Sequence, residues 1–243
     1  MDSLGKEATI RQILVITDGC SNIGPDPVDA ARRAHGRGIV VNVIGIVGDG
    51  EAAQKGYEEA QSIADAGGGM CRIVQPADIS ATAQMMTHQT MQMTLQQVVN
   101  QELMSVMGKT TEDLPPAERS RVMQVVAKLE EEIALQLVVA LDMSASMRDK
   151  IPTVREAVRD LSLSLQVRTG SLEVAVLSFP GKGEESTRLV QPFSNKVDVA
   201  SLESALVARG GTPTGPAIDY AASLIIDRQR TVDEADGPRR DFA

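Results

Sequence analysis

The chain has 243 residues, 42 % of them hydrophobic, which suits one large domain or two small ones with a substantial core and excludes a disordered acidic tail. Its 24 Lys and Arg against 33 Asp and Glu leave a net charge of -9, so no basic field draws it to nucleic acid or anionic lipid. Aromatic residues at 2 % and the absence of Trp remove the stacking platforms that single-stranded nucleic acids need, and weaken a sugar-binding reading.

Cys20 and Cys71 are too few for a disulfide framework and lack the C-x-x-C spacing of a metal site, so they read as reduced thiols. The start Met1 to Glu7 has neither the basic nor the apolar region of a signal peptide, and no apolar run approaches the ~20 residues of a membrane span. The cytoplasm is the expected location.

In chain order, the β-branched apolar run Gln12 to Thr17 reads as a buried parallel strand that stops at Asp18-Gly19. A turn-rich segment leads to an Ala-rich helix over Val28 to His35, closed by Gly36 and Gly38, and then to a strand over Ile39 to Val47. A helix over Glu51 to Ala66 ends at Gly67-Gly68-Gly69, and Cys71 to Val74 makes a short third strand. Gly48-Asp49-Gly50 and the triple glycine lack any phosphate-loop pattern and read as turns and a helix stop.

From Asp78 to about Met107 the chain is rich in Gln, Thr and Met, with apolar residues at helical spacing, which predicts one long helix. Gly108 to Leu114 breaks it, and Pro115-Pro116 restart a charged amphipathic helix toward Glu132. This pair forms a mid-chain connector, residues 78–134. Six of the 11 Met residues fall within 85–107, a stripe expected to be core more than recognition surface.

A second buried strand, Leu135 to Leu141, ends on Asp142 as the first ended on Asp18. A helix over Ile151 to Gln166, strands over Leu172 to Phe179 and Thr187 to Val190, and a short helix over Leu202 to Ala208 follow. The tight loop Gly210 to Gly215 precedes a last helix, Pro216 to Ile226. Residues 228–243 are charged and without periodicity, and are expected to be a mobile tail. The alternation predicts an α/β fold with a doubly wound, mostly parallel central sheet, as one domain over residues 1–227.

In such a sheet the ligand crevice lies beyond the carboxyl ends of the strands. If the two acid-tipped strands are neighbours, Asp18 and Asp142 face one crevice, where close carboxylates repel unless a cation sits between them. Alternate positions of Asp142-Met143-Ser144-Ala145-Ser146 bring one carboxylate and two hydroxyls to one side, and the Gly210-Gly211 loop offers Thr212 and Thr214. These hard oxygens suit Mg²⁺ or Mn²⁺; Ca²⁺, which favours more carboxylates, fits less well. Such a donor set leaves a divalent ion under-neutralised, so a carboxylate from another molecule becomes an attractive ligand.

The segments Asp142-Met143-Ser144-Ala145-Ser146, Gly211-Thr212 and Thr17-Asp18-Gly19 resemble the three parts of the metal-ion-dependent adhesion site of von Willebrand factor type A domains. The resemblance implies that Ser144, Ser146 and Thr212 ligate a metal and that Asp142 and Asp18 act mostly through water, with Thr214 in support. It also implies circular permutation, because in ordinary members the D-x-S-x-S strand leads and the T-D-G strand comes last. Residues 135–227 followed by 11–77 restore the family order. The permuted order and the sequences around Asp18 and Thr212 are most similar to the bacterial YabS-like group, which implies a cytoplasmic protein that is not an enzyme.

The expected function is therefore a binding module whose metal captures an Asp or Glu side chain of a protein partner. One alternative is a Mg²⁺-dependent phosphoryl hydrolase using Asp142; it is weakened by the lack of a general base or a phosphate-clamping Lys or Arg beside the motifs. Another is a scaffold in which residues 1–110 of one protomer complete 135–227 of a second, as a half-domain-swapped dimer. His35 and His88 are expected to have surface or packing roles, and Asp149-Lys150 and Glu130-Glu131-Glu132 to be solvated surface.

Overall fold

The computed structural model describes residues 9–48 and 51–236. In order come β1 (Thr9–Thr17), α1 (Pro27–His35), β2 (Val40–Ile46), α2 (Glu51–Ala66), β3 (Gly68–Val74), α3 (Ile79–Met107), α4 (Pro116–Glu132), β4 (Ala134–Asp142), α5 (Ile151–Leu165), β5 (Leu172–Phe179), β6 (Arg188–Ser194), α6 (Val199–Ala205) and α7 (Thr214–Asp236). Asp49, Gly50, the start Met1 to Glu7 and the last residues of the expected tail lie outside the described residues.

Six strands form one sheet in the order β3-β2-β1-β4-β5-β6, parallel except for β6, which runs antiparallel to β5. The α/β expectation therefore holds. The four inner strands read as continuous apolar runs because both faces of the sheet are covered. Along β1, Ile10, Leu14 and Ile16 join one core layer with residues of α3 and α5, while Ile13 and Val15 join the opposite layer with α1, α2 and α7. The same alternation splits β4, with Leu137, Val139 and Leu141 on the first side and Val138 and Ala140 on the second.

The long helix α3 is moored by polar side chains as well as apolar ones. Gln12, fully buried in β1, donates to the Thr87 carbonyl at 3.3 Å, and the Thr90 hydroxyl donates to Asn42 Oδ1 at 3.1 Å. Asn42 Oδ1 also accepts from Met70 N at 2.9 Å, where the β2–β3 register shifts between Val41 and Val43. Buried amides at these positions need such partners, and the need fixes where the connector crosses the sheet. Of its methionines, Met86 and Met91 are fully buried, whereas Met93, Met104 and Met107 are about half exposed, so the stripe is core in only its first half.

Several boundaries differ from the sequence expectation. The third strand begins at Gly68, not Cys71, because Gly68 adopts φ +64° and the Gly69 backbone runs against Val41, where a Cβ would lie 2.2 Å from the Val41 carbonyl oxygen. The short helix starts at Val199, capped by Asp198, whose carboxylate accepts from Ala200 N at 3.1 Å. Strand β6 extends to Ser194 and includes Pro192, which an edge strand tolerates. The tail expected to be mobile is helical to Asp236, and Arg228 makes a forked ion pair with Glu173 of β5. His88, which has no acid at catalytic spacing in the sequence, lies 3.3 Å from Glu130 of α4.

Candidate metal centre

The register sets Ile16 opposite Leu141, so Thr17 and Asp142 are the next step along the two central strands and both point their chains into the same crevice. From β1 the chain turns to α1 on one face of the sheet, and from β4 to α5 on the other. This divergence opens a gap between the loops, the switch point at which α/β sheets bind ligands.

Asp142 is wholly buried and both of its carboxylate oxygens are engaged: Oδ2 accepts from the Thr17 hydroxyl at 2.6 Å and Oδ1 from Ser144 N at 2.7 Å. Burial nevertheless dominates and pushes this carboxyl up to about 6 from 3.8, with the nearby Asp18 adding to the rise and the hydrogen bonds from Thr17 and Ser144 opposing it. Beyond it runs a chain of oxygens. Ser144 Oγ lies 3.1 Å from Ser146 Oγ, and Ser146 Oγ donates to Asp18 Oδ1 at 2.7 Å. Asp18 Oδ2 is ion-paired with Lys150, and the Asp18 side chain is 1 % exposed.

The Thr212 loop is tied to both other motifs through the backbone. Asn22 reads the peptide of Thr212 from both sides: its Oδ1 accepts from Thr212 N at 2.8 Å, and its N donates to the Thr212 carbonyl at 3.1 Å. Ser21 Oγ donates to the same carbonyl at 3.3 Å. Ala145 N donates to Gly210 O at 3.2 Å, and Arg209 N donates to Met143 O at 2.7 Å. Two glycines make this approach possible. Gly210 has φ +61°, and a Cβ on Gly211 would lie 2.5 Å from Asn22 Oδ1, displacing the amide that holds Thr212.

The three segments singled out from the sequence thus meet at one end of the sheet. Asp142, Ser144, Ser146 and Asp18 form one contiguous network; the backbone of Thr212 is bonded to the loop that follows Asp18, and its neighbours Arg209 and Gly210 are bonded to the loop that follows Asp142. The Ser144 side chain makes no cap bond to the short turn Ala145–Met147 that follows it. Thr214 opens α7, and its hydroxyl is buried without a partner, so it does not cap that helix either.

Three contributors escaped the sequence reading. Lys150, taken as solvated surface, contacts Asp18 across 132 residues of chain; Asn22 clamps Thr212; and Glu59 of α2 accepts from Ser21 N at 2.6 Å. Burial raises the Glu59 carboxyl, and the bond from Ser21 opposes the rise. The Asp18 segment signals none of these, because each partner arrives from another element.

Among the described residues no group of three or more His, Cys, Asp or Glu side chains could hold a metal, so any ion here depends on hydroxyls. The donor set fits one. With Mg–O bonds of about 2.0–2.1 Å, adjacent corners of an octahedron lie about 2.8–3.0 Å apart. The Ser144–Ser146 oxygen separation of 3.1 Å is close to that edge.

Comparison with known proteins agrees with this architecture. Residues 137–239 match the von Willebrand factor type A domain, a family that generally mediates metal-dependent protein interactions and commonly binds divalent ions such as Mg²⁺ or Mn²⁺. The chain is 44 % identical over 238 residues to the uncharacterized protein YabS of Bacillus subtilis, covering 93 % of this chain and 97 % of that one. A crystal structure of an uncharacterized protein from Alicyclobacillus acidocaldarius is 80 % identical, covers 94 % of this chain and 99 % of that chain, and superposes with a TM-score of 0.91. Among the described residues no helix is long and apolar enough to cross a membrane. The chain belongs to the von Willebrand factor type A domain family, alongside YabS.

Proposed function

We propose that the crevice binds Mg²⁺ or Mn²⁺ through Ser144, Ser146 and Thr212, with Asp142 and Asp18 acting mostly through water, and that the bound ion captures an Asp or Glu side chain of a protein partner. The observation that carries the reading is the pair of hydroxyls of Ser144 and Ser146, 3.1 Å apart like neighbouring octahedral corners, set between Asp18 and a buried Asp142. The metal supplies a point of positive charge at which a foreign carboxylate completes the coordination shell. The protein's own residues keep the serine hydroxyls together, hold the Asp142 carboxylate in place through Thr17 and Ser144 N, and lock the Thr212 loop to the other two.

Circular permutation is part of this reading. The family match spans only β4 to α7, and the T-D-G strand that the site requires is β1, from the other half of the chain, seated beside β4. The long connector then bridges the ends that permutation would have joined. A binding role is favoured over phosphoryl hydrolysis because Asp142 is fully buried, with each oxygen held by a hydrogen bond, which screens it from an incoming phosphorus. The protein is read as cytoplasmic, and as a monomer or a half-domain-swapped dimer, between which sedimentation at the mass of one chain or of two decides.

The test is capture from lysate of the source cells by tagged wild type in Mg²⁺, wild type in EDTA, and Ser144→Ala in Mg²⁺. One acidic-motif protein held only by wild type with metal is the expected result. Identical proteins in all three arms would remove the metal crevice as the contact surface.

A further inference from the structure

Lys150 stands immediately before α5 and reaches back over the crevice to ion-pair with Asp18 Oδ2. The pair is well shielded, with 22 % of the lysine side chain and 1 % of the aspartate exposed. Asp18 therefore spans two environments: one oxygen takes the Ser146 proton within the oxygen chain, and the other holds an ammonium. A lysine is a compact, permanent charge at neutral pH, unlike the hydroxyls that make up the rest of the site.

That charge changes the balance of the centre. Asp18 and Asp142 carry two negative charges when ionised, and a divalent ion alone would neutralise them. With Lys150 in contact, the metal-loaded centre holds one positive charge in excess, and a single incoming carboxylate brings it to neutrality. The same ammonium repels the metal before it binds. In a partly shielded crevice of low effective dielectric, a unit charge a few ångströms from the ion acts on both equilibria.

Resting on the metal reading above, we infer that Lys150 sets the trade between the two ligands: it weakens the hold on the divalent ion and strengthens the loaded site's hold on a partner carboxylate. Lys150 is a positioning and charge-setting residue and not a metal ligand. It makes the site selective for an acidic partner over water or a neutral side chain, because only an anion removes the surplus charge.

The experiment is calorimetric titration of Mn²⁺ into wild type, Lys150→Met and Lys150→Arg, each checked for folding by circular dichroism. Acetate is then titrated into the Mn²⁺-loaded proteins and followed by the relaxation of metal-bound water. Lys150→Met is expected to bind Mn²⁺ roughly tenfold more tightly and acetate several-fold more weakly, with Lys150→Arg close to wild type. In EDTA, Lys150→Met leaves Asp18 shielded and unpaired, so its melting temperature should rise more on adding Mn²⁺ than that of wild type. Equal Mn²⁺ affinity in wild type and Lys150→Met overturns the role of the lysine and leaves the metal site standing. Absence of Mn²⁺ binding in every variant overturns both.

Discussion

Replacing Asp142 by Asn should stabilise the metal-free protein at neutral and alkaline pH. The folded chain holds the Asp142 carboxyl at about 6 against 3.8 for an ordinary aspartate, so folding favours its protonated form. Below about pH 4 the group is protonated in both folded and unfolded chains and no cost arises. As pH rises from 3.8 toward 6 the unfolded chain releases this proton first, and stability falls; above the folded value the cost is complete, about 3 kcal/mol at 1.36 kcal/mol per unit. Asparagine has no charge to desolvate and keeps the geometry. Its Oδ1 accepts from Ser144 N, its amide donates to Thr17 Oγ1, and the Thr17 proton turns to the Gly19 carbonyl, 3.3 Å away. Some of the benefit is lost with the charge-assisted bonds, leaving a net gain of about 1–2 kcal/mol. Urea unfolding in EDTA at pH 8 and pH 4.5 measures it: Asp142→Asn should be the more stable protein at pH 8, with the gap narrowing toward pH 4.5. A variant less stable than wild type at pH 8, or a gap that does not narrow on acidification, would refute the reasoning. Adding Mg²⁺ at pH 8 should raise wild-type stability by mass action and leave Asp142→Asn little changed.

Thr17→Val removes a donor to a buried carboxylate and should cost about 1.5–3 kcal/mol at pH 8, and less near pH 4 where Asp142 is neutral, as read by the same unfolding series. Gly215→Ala places a Cβ about where the Pro25 carbonyl oxygen already lies, at 2.1 Å, so it should destabilise by at least about 2 kcal/mol and loosen the start of α7; a melting temperature equal to wild type would contradict the packing. Thr214→Val replaces a buried, unpartnered hydroxyl with a methyl of similar size and should leave metal-free stability unchanged or raise it by about 1 kcal/mol, whereas a loss above that would reveal a partner for the hydroxyl.

The central strands were legible because each is apolar on both faces and stops at an acid: Gln12 to Thr17 and Leu135 to Leu141 fall within β1 and β4. Their adjacency, on which the candidate site depends, is also as expected, since the motifs at their tips make sense only together. The rim was harder. Strand β6 and helix α6 are short and half-exposed, so hydrophobic period carries little signal, and their limits are set by an Asp198 cap and by pairing with β5. The end of α7 was hidden because a polar, charged stretch shows no apolar stripe, and what holds it is a contact between Arg228 and a strand distant in sequence. Lys150 escaped for the same reason. A charge cluster looks like solvated surface until the fold brings a buried carboxylate to it.

The β1–β4 pairing has two further strands on each side and helices over both faces, so it is the part of the sheet most distant from any solvent edge. In a protein that opens piecemeal, amides in such a seam exchange with solvent only when the whole domain unfolds, whereas rim elements such as β6 and α6 open on their own. Asp18 and Asp142 ride on that slow-exchanging plate. Thr212 rides on the segment between α6 and α7 and is joined to the plate by a handful of loop hydrogen bonds. The crevice is therefore assembled across a boundary between two cooperative units, and whatever ligand spans it welds the earlier-opening unit to the later one. Amide protection should then spread outward into the 205–213 loop on ligand binding while the central strands keep the protection they already had.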